Sequence, residues 1–117
     1  MLDPDAVTAF LEAEHGDVLR GVLFYDPHGY TLTTVRPDLA ERYTDDHLEE
    51  LARWGREEAM GTAVNPTLGS VLTSVRIFER ATVVNFVLGE AEGVLISFDP
   101  DVENPTASIG SFAELNR

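Results

Sequence analysis

The chain contains no cysteine, which excludes disulfides and thiolate metal centres. It contains no lysine either; all eight basic residues are arginines. No apolar run approaches the ~20 residues of a membrane-spanning helix. The opening Met1-Leu2-Asp3-Pro4-Asp5 lacks the basic and apolar regions of a signal peptide. Both Asn-Pro-Thr triplets, at Asn65 and Asn104, carry proline in the middle position and are not glycosylation sites. The expectation is a cytoplasmic protein with no membrane contact. Its 117 residues are the size of a single domain, long enough to bury a core without staples.

What is abundant is negative charge. Twenty-one acidic residues against eight basic ones give a net −13. One reading is a GC-rich genome, which favours arginine codons, with ordinary acidity. The other is a cytoplasm full of salt. At molar salt the Debye length is about 3 Å, so a crowded acidic surface stops repelling itself, whereas at low salt the same surface destabilises the fold. On either reading the field repels phosphates, which argues against nucleic-acid or anionic-membrane binding.

The stretch from Gly69 to Pro100 organises the rest. Three β-rich runs stand in it, Val71–Phe78, Thr82–Leu88 and Val94–Phe98, separated by breaks too short for parallel crossovers. The spacing predicts an antiparallel meander with Val71, Val75, Ile77, Val84, Phe86, Leu88, Val94, Ile96 and Phe98 on its core face. Upstream, Val18–Tyr25 and Tyr30–Arg36 flank Asp26-Pro27-His28-Gly29, a turn sequence that predicts a hairpin. Gly21 inside the first run marks a close contact or weakens the strand.

Three helix starts are written as caps. Asp3-Pro4 opens a helix carrying Val7, Phe10, Leu11 and Glu14 and stopping at Gly16, with Leu2 and Val7 as a staple. One turn is expected over Asp38–Arg42. Thr44 opens a second helix whose inner stripe is Leu48, Leu51, Ala52, Gly55 and Ala59, ending near Gly61 before a loop at Ala63–Thr67. Gly55 on that stripe lets the helix approach the sheet closely. Asn104-Pro105 opens a short closing helix with Ile109, Phe112 and Ala113. The expected fold is a single α+β domain over residues 1–117. It has one five-stranded antiparallel sheet with helices packed on it, in the order α-β-β-α-β-β-β-α.

That element order is similar to the order in roadblock/longin-type and profilin-like domains. The stretch LFYDPHGYTLTTVRPDLAERYT (Leu23–Thr44) has the pattern aromatic-Asp, Tyr, Arg-x-Asp-Leu, Arg-Tyr-Thr. It resembles a set of small, acidic, functionally uncharacterised haloarchaeal proteins. The match extends through SVRIFERATVVNFVLGEAEGVLISFDP and so covers most of the chain. The resemblance supports the salt reading and implies no activity.

Catalytic signatures are missing. There is no cysteine nucleophile, no Gly-x-Ser-x-Gly turn, no HExxH and no paired histidine spacing. Asp26 and His28 are the least poor metal pair, yet a turn role explains both. Asp99, Asp101 and Glu103 alternate like the start of a calcium loop but lack its central glycine and distal glutamate. Glu90 and Glu92 make Gly89–Gly93 repel phosphate. No catalytic residue, cofactor or metal is therefore assigned. Tyr25, Tyr30 and Tyr43 are expected as rim residues with hydroxyls in water, lining a pocket only on a ligand-binding reading. Arg20, Arg36, Arg42 and Arg76, scarce among acids, are expected to find carboxylate partners. Trp54 points about 120° away from the inner stripe of its helix. It is either a flank residue packed beside Leu51 or an interface anchor.

Three functional readings follow. The first is a non-catalytic interaction or regulatory module of a salt-adapted cytoplasm, homodimeric and binding a protein partner not identified by the sequence, with Trp54 and Leu51 at the interface. The second is a small-molecule-sensing domain with a pocket between the sheet and the second helix. The third is a carboxylate-based enzyme.

Overall fold

A computed structural model of the chain describes residues 3–60 and 64–106. Helix α1 spans Pro4–His15, with Asp3 as its N-cap, Pro4 in the first turn and Gly16 as its C-cap at φ 57°. Strands β1 (Leu19–Asp26) and β2 (Gly29–Val35) follow as a hairpin. The Asp26 carboxylate closes the turn by accepting from the backbone N–H groups of His28 and Gly29 at 2.8 and 2.9 Å. A 3₁₀ segment, Pro37–Arg42, leads to α2 (Asp45–Ala59), whose Thr44 cap accepts from the His47 N–H. Strands β5 (Thr73–Ile77), β6 (Thr82–Gly89) and β7 (Glu92–Phe98) form the meander.

All five of these strands lie in one antiparallel sheet, in the order β2-β1-β7-β6-β5. The last strand thus returns to the centre and pairs with the first. Two additional short strands, β3 (Val64–Asn65) and β4 (Gly69–Ser70), pair with each other where a plain loop is expected. The Asn65 side chain nucleates that hairpin by accepting from the N–H groups of Thr67 and Leu68. The β6–β7 connection is also tighter than the sequence suggests: Gly89 pairs with Glu92, and Ala91 supplies the left-handed residue at φ 57°. The expected Leu2 staple, the stop at Gly61 and the closing helix over Ile109, Phe112 and Ala113 fall outside the described residues.

The sheet is covered on both faces, so its central strands are apolar on both. On one face Val7 and Leu11 of α1 meet Leu19, Val22, Val84, Phe86, Val94, Ile96 and Phe98. A hydroxyl contact of 2.7 Å between Thr8 and Thr33 ties α1 to β2. On the other face Leu48, Ala52 and Ala59 of α2 meet Leu23, Tyr25, Val83 and Leu95. Each fully buried aliphatic or phenyl side chain contributes about 1.5–3 kcal/mol. β6 and β7 supply the expected core residues, with Leu88 partly buried. The third strand does not: Val71 and Val75 are 39% and 40% exposed, and Ile77 is 79% exposed. The reason is position. β5 is an edge strand, whereas α1 packs against β1 and β2 at the opposite side of the sheet.

Candidate functional site

Two features of the α2 face and one edge of the sheet concentrate the unusual chemistry. The first feature is a buried polar network. Tyr25 is 2% exposed and Asn85 fully buried. The Tyr25 hydroxyl donates to Asn85 Oδ1 at 2.5 Å, and Asn85 Nδ2 donates to Glu58 Oε1 at 2.7 Å and to the Gly55 carbonyl at 3.4 Å. Glu58 also accepts from the Ser74 hydroxyl and pairs with Arg76 at 3.5 Å. Two glycines make room for the ring. A Cβ on Gly55 would stand 2.8 Å from Tyr25 Cε1, and one on Gly93 would overlap the Tyr25 hydroxyl and approach the Phe86 carbonyl to 2.6 Å. Burial, against the opposing effect of the Asn85 hydrogen bond, pushes the Tyr25 phenol well above its ordinary 10.0. Tyr25 is therefore a core residue, which corrects its expected place on the rim; Tyr30 and Tyr43 are partly buried at the margin of the α2 face. The network runs from the buried Tyr25 and Asn85 through the helix–sheet interface to the partly exposed Glu58 and Arg76.

The second feature is a cavity of about 260 Å³ between the sheet and the N-terminal half of α2. Leu23, Leu48, Leu51, Val83 and Leu95 make most of its apolar wall, and Arg20 lies at its margin.

The third feature is the free edge at β5. Leu68, Leu72, Ile77 and Phe78 are all large, apolar and more than half exposed, and Val71 and Val75 continue the strip. Isolated exposed apolar residues are ordinary; a run of them along an edge strand and the segments flanking it is not. Trp54 borders this edge. It is half-buried against the α2-face core, and the Arg76 guanidinium of β5 sits 4.5 Å over its ring. Its indole N–H is buried without an acceptor among the described residues. Leu51, also half-buried, lines the cavity together with Phe78 from the end of β5.

Three of the four arginines expected to find carboxylates do so, Arg20, Arg36 and Arg76; Arg42 has no carboxylate within ion-pair distance among the described residues. Arg36 reaches Asp38 and Asp99 at 2.7 Å each and donates to the Asp17 carbonyl, clamping one end of the sheet. Its hydrogen bonds hold the Asp99 and Asp38 carboxyls below their ordinary 3.8, and the same contacts raise Arg36. Arg20 shares Asp99 at 3.5 Å. This engagement removes Asp99 from the acidic run that resembles a calcium loop. The Asp26 oxygen spent on its own turn likewise explains the Asp26–His28 pair. Among the described residues no three histidine or acidic side chains converge as a metal site would require, and no helix is long and apolar enough to cross a membrane.

A family model covers residues 5–114. The chain belongs to the DUF7522 family, a domain of unknown function. No curated protein matches it. DUF7522 membership covers nearly the whole fold described above, from α1 through β7, and attaches no chemistry to it. The network residues Asn85 and Glu58 are absent from the sequence-derived candidates. One signal does point to Asn85: it is the only polar residue inside Val83–Leu88, on the face opposite Val84 and Phe86.

Proposed function

We propose that this DUF7522 domain is a non-catalytic interaction module of a salt-adapted cytoplasm that works as a homodimer and presents a protein-binding surface. The observation that carries the reading is the apolar edge at β5: Ile77 of this strand is 79% exposed, Leu72 just before it is 69% exposed, and no strand among the described residues pairs with its outer side. Unpaired edges are liabilities unless covered, and two-fold pairing is the commonest cover for a small domain. Trp54 and Leu51 flank that edge on the α2 side and form the rim of the contact. The net −13 is compatible with self-association where molar salt screens each subunit from the other and strengthens apolar contact. The same charge disfavours nucleic acid as a partner.

Light scattering in molar KCl tests the reading. Wild type at tens of micromolar should have twice the monomer mass. Ile77→Lys, which puts a charge on the edge, should be monomeric, and Trp54→Ala should weaken the dimer by about 2 kcal/mol. A monomeric wild type removes the homodimer. A dimer indifferent to Ile77→Lys moves the contact away from β5.

A further inference from the structure

The cavity under α2 has a cause in the sheet. Residues on this face fall in rows across β1, β7 and β6. Tyr25, Gly93 and Val87 form one row, Leu23, Leu95 and Asn85 the next, and Gly21, Ser97 and Val83 the last. The first two rows lie under α2. The last places glycine and serine side by side, and a Cβ on Gly21 would press on the Thr34 carbonyl of β2 at 3.2 Å. The space above this row is the cavity of about 260 Å³.

Among the described residues Arg20 is the only arginine in the cavity lining. Its side chain is 15% exposed. Asp99 gives its short contact, 2.7 Å, to Arg36 and leaves Arg20 a long one of 3.5 Å. Arg20 Nε is buried with no hydrogen-bond acceptor among the described residues. A guanidinium has five N–H donors, and withholding acceptors from buried donors is costly. An apolar wall with one under-used cation at its margin is complementary to one kind of molecule.

We propose that this cavity binds a small molecule with an apolar body and a single anionic end, of the class of short to medium-chain carboxylic acids, with Arg20 receiving the carboxylate. The volume lies just below the usual range for small-molecule sites, about 300–1,000 Å³, and so restricts the body to a short or medium chain. Polyanions such as nucleotides are excluded by the same geometry: one cation faces the site, and Asp17, Asp38 and Asp99 crowd the Arg20–Arg36 end. The cavity shares Leu51 and Phe78 with the proposed dimer rim, but the groups that define the ligand, Gly21, Ser97 and Arg20, lie on β1 and β7 inside the sheet, so Arg20→Met and Ser97→Leu test the ligand without touching the β5 edge.

The test uses the full chain in molar KCl and three probes: octanoate, octanol and acetate. Calorimetry and the fluorescence of Trp54, the single tryptophan, read binding. Octanoate should bind at least about tenfold tighter than octanol, because a hydrogen bond to a charged group contributes about 1.5–3 kcal/mol. Acetate should not bind. Arg20→Met should reduce octanoate to the octanol level and leave octanol unchanged. Ser97→Leu, which fills the cavity, should weaken both alcohol and acid at least tenfold, while Ser97→Ala should not. Octanoate binding no tighter than octanol overturns the proposal, as does absence of binding up to the solubility limit. Octanoate affinity unchanged in Arg20→Met overturns the role of Arg20 and with it the ligand class. Equal binding of alcohol and acid that Ser97→Leu abolishes would mark the cavity as a seat for an apolar side chain instead.

Discussion

Removing the Tyr25 hydroxyl isolates what the buried network contributes. In Tyr25→Phe the ring keeps its seat between Gly55 and Gly93, and only the 2.5 Å bond to Asn85 Oδ1 is lost. Asn85 is fully out of water, so its carbonyl is left without a partner. A hydrogen bond of this kind contributes about 1 kcal/mol net, and a stranded buried acceptor costs about 1–3 kcal/mol, so the expected loss is about 2 kcal/mol. Asn85→Ala removes the same bond together with those to Gly55 and Glu58, and leaves a cavity. Its expected cost is about 3–4 kcal/mol. In the double variant the shared bond is lost only once. The two changes should therefore be coupled by nearly the whole Tyr25→Phe cost. Urea denaturation in molar KCl reads all three. With a slope of about 1–3 kcal/mol per molar for a small domain, Tyr25→Phe should lower the midpoint by about 1 M. A Tyr25→Phe protein as stable as wild type, or single costs that simply add, would refute the network as described.

Further outcomes follow from the same contacts. Gly93→Ala should destabilise by about 2 kcal/mol or more in the same denaturation series, since its methyl would meet both the Tyr25 hydroxyl and the Phe86 carbonyl. Asp99 has a depressed carboxyl, so its pairing with Arg36 stabilises the fold above the ordinary 3.8 and is lost as pH falls through the folded-state value. The stability gap between wild type and Asp99→Asn should therefore stay constant from about pH 7 to pH 5 and close in stronger acid; a gap independent of pH throughout would dismiss the pair. Denaturation midpoints should rise as KCl goes from near zero to molar, and a flat or falling series would defeat salt adaptation.

The sequence discloses elements better than it discloses neighbours. Asp3-Pro4, Thr44 and Asp26-Pro27-His28-Gly29 are local signals, because a cap or a tight turn is decided by a few adjacent residues, and the structure has each of them. The exposed Val75 and Ile77 show the limit. Their alternation correctly marks one side of a strand, yet whether that side is covered depends on where the strand stands in the sheet. Nothing local states that β7 turns back to pair with β1 and leaves β5 outermost. Tyr25 fails for a related reason: its hydroxyl is satisfied by Asn85, sixty positions away, so its burial becomes legible only once β1, β7 and β6 are adjacent. The second reading puts a pocket between the sheet and the second helix, but its cause is not local: Gly21 and Ser97, seventy-six positions apart, fall in one row.

The network and the cavity are two consequences of one register. The α2 face offers a mostly aliphatic surface, along which a helix could settle one turn up or down with similar apolar burial. Two contacts discriminate between those positions. Gly55 admits the Tyr25 ring where a Cβ would stand 2.8 Å from it, and Glu58 takes the shorter of the two α2 bonds from Asn85 Nδ2, the other going to the Gly55 carbonyl. Buried polar groups rarely add stability over a well-packed apolar substitute, but they can specify one arrangement among several. Here both contacts belong to the C-terminal half of α2 and fix it over the Tyr25 and Asn85 rows. A slip of one turn, about 5.4 Å, in either direction would remove Gly55 from Tyr25 and Glu58 from Asn85. The same two contacts therefore hold Leu48 and Leu51, on the N-terminal half of α2, where they line the cavity.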